Sequence, residues 1–342
     1  MRNEVVLITG ANGEIGHGLI KALAKKNGTQ IVALDVRPLD EGLIPFCDRF
    51  IQGDILDSML LGRLMAEYDI TTIYHLASIL STKAEYNPET AHKINVEGTL
   101  NLLRLGVELS TWQGTPVKFI YPSSIAVYGL PDLETKKNEG KIKEWMWCTP
   151  ITMYGCNKLY CENLGKYYTK YYRQLAKDRS KHTIDFRCIR FPGLISAETV
   201  PTGGTSDYGP EMLHSAAKGE RYACFVRPDT KIPFMAMPDA IKSLLMLEAA
   251  PRESITQCVY NVSSFAPSAK DLYSMVRNAY PDAEISFEVH SQRQVIVDSW
   301  PEDCDDSAAR YDWGWEPDYD MQRSFDEYLL PSIRNLYVKQ AQ

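Results

Sequence analysis

No stretch of the chain approaches the ~18 consecutive apolar residues of a membrane-spanning helix. Its eight cysteines (Cys47, Cys148, Cys156, Cys161, Cys188, Cys224, Cys258, Cys304) contain no Cys-x-x-Cys pair. Its six histidines contain no His-x-x-x-His pair. Both absences argue against a bound metal, and the scattered cysteines read as reduced thiols. No basic run is present and the net charge is −7, so neither nucleic acid nor an anionic membrane surface is an expected partner. Repeats and low-complexity segments are also missing. The chain starts directly with the strand-like Glu4-Val-Val-Leu-Ile-Thr9 rather than a basic leader and an apolar segment, so a cytoplasmic protein is expected.

What is present is an alternating pattern. Short apolar runs at 5–9, 30–35, 50–51, 70–76, 117–121 and 185–191 read as strands. Helical spacing follows several of them: Ile15, Leu19, Ile20 and Leu23, then a long helix from near Glu89, then one from Tyr154 to about Lys177. Strands alternating with helices, several apolar throughout, predict an α/β fold with a doubly wound parallel sheet. After Pro192 the texture changes to a turn-rich loop at 201–209. Helical patterns follow at 210–218, 238–249 and 268–279, with strands near 221–227, 257–262 and 285–289. This predicts a nucleotide-binding domain over 1–191 with 238–263 packing back on it. A smaller α/β substrate lobe takes 192–237 and 264–342. At 342 residues and 44% hydrophobic, the chain can bury such a core.

The first strand stops at Gly10-Ala-Asn-Gly13-Glu-Ile-Gly16, which opens a helix. In that setting one glycine permits a tight turn, one lets the backbone approach a pyrophosphate and one allows close helix–strand packing. The helix N-terminus offers free N–H groups to the phosphates. Asp35 closes the second strand, where a carboxylate can accept from both ribose hydroxyls and repel a 2′-phosphate. That favours NAD over NADP. Arg37 is the counter-argument, its other role being a solvated surface charge. Asp54 follows the third strand, as an adenine contact or as a turn acid that caps a helix.

Tyr154 and Lys158 sit four residues apart, one turn along a helix. An ammonium beside a phenol favours the phenolate, so the pair predicts a Tyr154 acidity shifted from about 10 toward working pH. Such a tyrosine can take a proton from a hydroxyl.

In order along the chain, Thr9-Gly10-Ala-Asn-Gly13-Glu-Ile-Gly16, Gly53-Asp54, His75-Leu-Ala77, Asn95-Val-Glu-Gly-Thr99, Ser123-Ser124, Val127-Tyr128-Gly129 and Tyr154-x-x-x-Lys158 resemble the extended short-chain dehydrogenase/reductase family. The resemblance implies a Rossmann sheet, NAD as cofactor and no metal. It implies Tyr154 as general base, Lys158 as its tuner and Ser124 as the hydroxyl orienting the substrate, with Ser123 a lesser candidate. It also implies Asn12, Glu14, Ile15, Ile55, Leu76, Ala77, Ser78, Asn95, Pro122 and Pro192 around the cofactor. The helices near 89–110 and 153–177 resemble the family's four-helix interface, so a homodimer is expected.

The second half narrows the resemblance to the branch of that family that oxidises L-threonine. The residues are Phe191-Pro-Gly-Leu-Ile-Ser196, Pro201-Thr-Gly-Gly-Thr-Ser-Asp-Tyr208, the stretch from Cys224 to Asp239, Ser299-Trp-Pro301 and Asp312-Trp-Gly-Trp315. A small amino-acid substrate then needs partners for a carboxylate and an ammonium. Gly204, Thr205 and Ser206 are candidates, on the 201–209 loop expected to close over it, as is Ser81 on the loop after the fourth strand. Asp207 is an ammonium partner or a loop cap, Trp300 a wall or packing in the tail, and Arg227 an anion contact or a salt bridge. Met235 and Met237 read as core. The alternatives are a nucleotide-sugar epimerase or dehydratase on the same scaffold, a dehydrogenase of another β-hydroxy amino acid, and a scaffold that binds NAD without turnover.

Overall fold

The computed structural model describes residues 3–177, 183–201 and 203–340; Thr202 of the turn-rich loop lies outside them. Seven strands form the main sheet: β1 (Asn3–Thr9), β2 (Ile31–Asp35), β3 (Arg49–Gln52), β4 (Tyr68–His75), β5 (Lys118–Ser124), β6 (Asp185–Phe191) and β7 (Val259–Asn261). Their order is β7-β6-β5-β4-β1-β2-β3. β1 pairs in parallel with β2 and β4, β2 with β3, and β4 with β5. The chain therefore runs outward from β1 to β3 and returns on the other side at β4. Ligands of doubly wound sheets bind beyond the strand ends at this reversal. Every residue of β2 is buried, as its unbroken Ile-Val-Ala-Leu-Asp run requires of a sheet covered on both faces.

The chain divides into two compact units. The first takes Met1–Ser123, Cys156–Ile189 and Leu244–Tyr260, and the second takes Ser124–Gly155, Arg190–Ser243 and Asn261–Gln342. The sequence pattern had left 124–155 with the nucleotide half. In the structure this stretch is tied into the second unit. Arg190 donates to the Tyr128 hydroxyl, the Asn261 N–H to Glu144 Oε1, and the Leu130 N–H to the Ser299 carbonyl.

In the first unit the helices are α1 (Glu14–Leu23), α2 (Ser58–Glu67, capped by Asp57), α3 (Gly98–Gln113) and most of α4 (Met153–Lys170). Leu7, Ile73, Leu102, Phe119, Phe186 and Cys188 belong to one buried cluster. Two expectations change. The helix from near Glu89 is broken into Pro88–His92, a widened π turn at Lys93–Glu97, and α3. The helix expected to reach Lys177 stops at Lys170, and Arg173 just beyond takes a left-handed φ of 49° that cannot continue it.

In the second unit, α5 (Tyr208–Lys218) precedes a strand at Tyr222–Cys224 that pairs in parallel with Ile285–Phe287. Helix α6 (Ser291–Asp298) follows. Gly193–Ile195 pairs with Phe234–Ala236, and Met235 and Met237 are buried in the core.

Candidate active site

The glycine turn is fixed by what a side chain would hit. Gly10 has a φ of +68°, and a Cβ there would lie 2.5 Å from the Ala77 nitrogen. A Cβ on Gly16 would lie 2.2 Å from the Ala11 carbonyl oxygen. Gly13 is the N-cap of α1 in an extended conformation, so the helix opens with Glu14 and Ile15 in its first turn. The N-cap, being glycine, brings no side chain over those first N–H groups, which suits an incoming phosphate. At the end of β2, Asp35 Oδ2 accepts the Asn12 N–H at 2.9 Å and Oδ1 accepts the Arg37 N–H at 2.9 Å. The Arg37 guanidinium donates to the Asn12 carbonyl and lies 3.8 Å from Asp35. Arg37 is thus tied to the Asp35 corner as well as being a surface charge. Asp54 accepts the N–H of Leu56, so it holds its turn; the helix cap is Asp57. Ile55 is buried against Gly98.

Beyond β4, Leu76 donates its N–H to the Thr9 carbonyl, and Asn95 clamps the following loop. Asn95 Oδ1 accepts from the Ile79 N–H and the Ser78 hydroxyl, and Nδ2 donates to the Ile79 carbonyl and to Asn157 Oδ1. The π turn is what carries Asn95 into this position. Under the clamp lies His75, which sequence reasoning quoted only as a motif letter. The Thr99 hydroxyl donates to the Asn95 carbonyl at 2.5 Å, so it must accept from His75 Nε2–H. His75 Nδ1 then accepts from the Thr9 hydroxyl at 2.8 Å. Burial, with the Lys158 charge as a lesser cause, pushes His75 down to about 3, so the ring is neutral.

Helix α4 starts at a cap: Thr152 Oγ1 accepts the Gly155 N–H. Gly155 lets the helix meet the turn that follows β5, since a Cβ there would lie 2.0 Å from the Ala126 carbonyl oxygen. That approach brings Tyr154 to Ser124. The Ser124 oxygen accepts the Ala126 N–H at 3.2 Å, which leaves its hydrogen for Tyr154. The Tyr-Gly doublet was the available signal for Gly155. The direction of the Tyr154 shift is a correction: enclosure by protein pushes its hydroxyl above the ordinary phenol value, and the Ser124 hydrogen bond opposes this. Lys158 is itself buried, its Nζ donating to the Pro122 carbonyl at 2.7 Å and lying 4.5 Å from the Tyr121 ring centroid. Burial pushes Lys158 down to about 8.

Ser123, a lesser substrate candidate from sequence, is turned toward α4. Its hydroxyl donates to the buried Glu162 at 2.6 Å. Ser81 is buried at the start of a short helix.

In the second unit, Asp207 accepts the Gly204 N–H, which is the loop-capping role. Thr205 is 3% exposed and Ser206 half-buried. The loop is latched by a residue that sequence reasoning missed. Arg293 on α6 donates to the Gly204 carbonyl at 2.7 Å and lies over the Phe225 ring, 3.2 Å from its centroid. Its Nε is enclosed without an acceptor among the described residues. Arg227 forms a two-point salt bridge with Asp298 and so takes the bland role. Trp300 is buried in packing, and Pro192 follows the end of β6.

Among the described residues, no helix is long and apolar enough to cross a membrane, and no His, Cys, Asp and Glu cluster could hold a metal ion. The glycine cradle, the open helix N-terminus and Asp35 fit a dinucleotide with free ribose hydroxyls. A family model, NAD dependent epimerase/dehydratase family, matches residues 6–263. The chain belongs to that family and is an NAD-dependent enzyme of its fold. Within it, the chain is similar to the mitochondrial L-threonine 3-dehydrogenase of Bos taurus, 35% identical over 317 residues, 92% of this chain and 79% of the relative. Of solved structures, a monomeric L-threonine 3-dehydrogenase from a metagenome, in apo form, aligns with TM-score 0.85 and 35% identity, covering 97% of this chain and 99% of its own. The L-threonine 3-dehydrogenase of Trypanosoma brucei aligns with TM-score 0.84 and 34% identity, covering 99% and 98%.

Proposed function

We propose that the chain is an L-threonine 3-dehydrogenase, oxidising L-threonine to L-2-amino-3-oxobutyrate with NAD as oxidant. The observation that carries this is the Ser124–Tyr154 hydrogen bond at the head of α4, with Lys158 one turn on. Ser124 and Tyr154 hold the threonine hydroxyl, and Tyr154 takes its proton. Bound NAD supplies the acceptor for the hydride leaving Cβ. Gly10, Gly13 and Gly16 admit the pyrophosphate, Asp35 takes the ribose hydroxyls, and Lys158 supplies a positive charge one helical turn along α4. N–H groups of 203–206, Ser206 and the enclosed Arg293 Nε–H meet the substrate carboxylate, with closure of the 201–209 loop keeping water out. The names of the similar proteins support this substrate. The test is absorbance at the NADH band with a panel of amino acids and UDP-sugars. Sustained NADH with threonine is expected. Conversion of a UDP-sugar without net NADH would replace this reading with an epimerase.

We also propose a homodimer through α3 and α4. Trp112, Tyr160 and Tyr167 are large exposed side chains on these helices. A similar structure is described as monomeric, so mass by light scattering decides; a monomer rejects the dimer. The eight cysteines are free, which suits a reducing compartment. The reading places the protein in the cytoplasm, in threonine breakdown, and cell fractionation tests this.

A further inference from the structure

Glu162 has no exposed surface, an unusual place for a carboxylate. It sits on α4 one turn after Lys158, on the same face. The two residues grip consecutive positions of one strand end: Lys158 donates to the Pro122 carbonyl, and Glu162 accepts from the Ser123 hydroxyl at 2.6 Å. A glutamine would accept the same hydrogen bond at far lower cost of desolvation. What the carboxylate adds is a negative charge next to a buried ammonium.

We infer that Glu162 is a positioning residue for the proposed reaction, pinning the end of β5 through Ser123 and keeping the Lys158 side chain an ammonium. The inference rests on the dehydrogenase reading for its role in turnover, but not for its effect on Lys158. Around Lys158, β5 contributes the Tyr121 ring and the Pro122 carbonyl. β4 contributes His75, which is neutral. Cys188 comes from β6, and Cys161 and Glu162 from α4, which also carries Tyr154. Burial drives Lys158 down, and the two cysteines and Glu162 act the other way. Burial raises the Cys161 thiol. Glu162 is the carboxylate of that set, one helical turn from Lys158 on α4.

The test uses the full chain with Glu162→Gln, which keeps size and acceptor but removes the charge. Carbon NMR of the chain labelled at lysine Cε follows the Lys158 resonance, assigned by its loss in Lys158→Arg. The titration midpoint is expected to fall by about one unit in Glu162→Gln. The alkaline limb of kcat should move to lower pH by a similar amount, with the NAD Kd changed less than about threefold. An unmoved Lys158 midpoint overturns the inference, whatever the substrate proves to be. Failure of threonine to yield NADH rejects only the dehydrogenase reading. If Glu162→Gln does not fold, Ser123→Ala decides: it keeps the charge and removes its hydrogen bond. Its Lys158 midpoint should stay or rise, and a fall overturns the inference.

Discussion

At the glycine turn of the first unit, shape is enforced by the backbone: Gly10 and Gly16 stand where any Cβ would overlap main-chain atoms. The 203–207 loop of the second unit is held by side chains, with Asp207 on the Gly204 N–H and Arg293 on the Gly204 carbonyl. The first arrangement has one conformation and no adjustable part. The second can release a bond and re-form it, as a loop closing on a small ligand requires. A cofactor common to a whole family suits the first, and a substrate peculiar to one branch suits the second.

The comparison breaks most visibly at Tyr154, where α4 brings the reacting hydroxyl to Ser124. Tyr154→Phe should lower kcat by about a thousandfold or more while NAD affinity is preserved, since ordinary proton-transfer groups contribute this much. A loss under tenfold would mean another base. Next comes the rigidity of the first unit near β4. His75 is held near 3 when folded and returns to about 6.5 when unfolded. The unfolded chain therefore takes up a proton that the folded chain refuses. The stability this confers is intact above pH 6.5 and is lost as pH falls toward 3, about 3 kcal/mol by pH 4. Urea unfolding of wild type and His75→Gln at pH 7 and pH 4 checks this; equal pH sensitivity refutes it. Gly10→Ala should cost about 3 kcal/mol from overlap and the left-handed φ, with NAD binding weakened more than tenfold. A tolerated alanine would show that this turn yields after all. The smallest effect is expected in the second unit. Arg293→Met should raise the threonine KM by roughly threefold to tenfold, about 1 kcal/mol, with kcat less affected, because one latch of several is lost. An unchanged KM would remove Arg293 from the substrate loop.

The alternation of strands and helices, the glycine spacing and the Tyr154–Lys158 pair were legible because each is local: short apolar runs, three-residue steps and one helical turn. The second unit's strands at Tyr222–Cys224 and Ile285–Phe287 were found for the same reason, while the pair Gly193–Ile195 and Phe234–Ala236 was not. What stayed hidden depends on partners far along the chain. Ser123 and Glu162 lie 39 residues apart, Thr9 and His75 lie 66, and Gly204 and Arg293 lie 89. No spacing rule announces such pairs. The direction of the Tyr154 shift failed likewise, since sequence shows the neighbouring cation but not the depth of enclosure. Asp207 and Arg227 were left between two roles, and hydrogen bonds within the second unit chose the bland one for each.

The π turn at Lys93–Glu97 carries one residue beyond what regular winding would place there. Deleting a single residue from it would let the coil relax to a regular turn, and the widened turn that presents Asn95 would be lost. The Asn95 amide would swing off the Ile79 backbone, and Thr99 would leave His75. Replacements on the exposed positions Lys93 and Glu97 do neither. Over evolutionary time this segment can therefore change its letters but not its length.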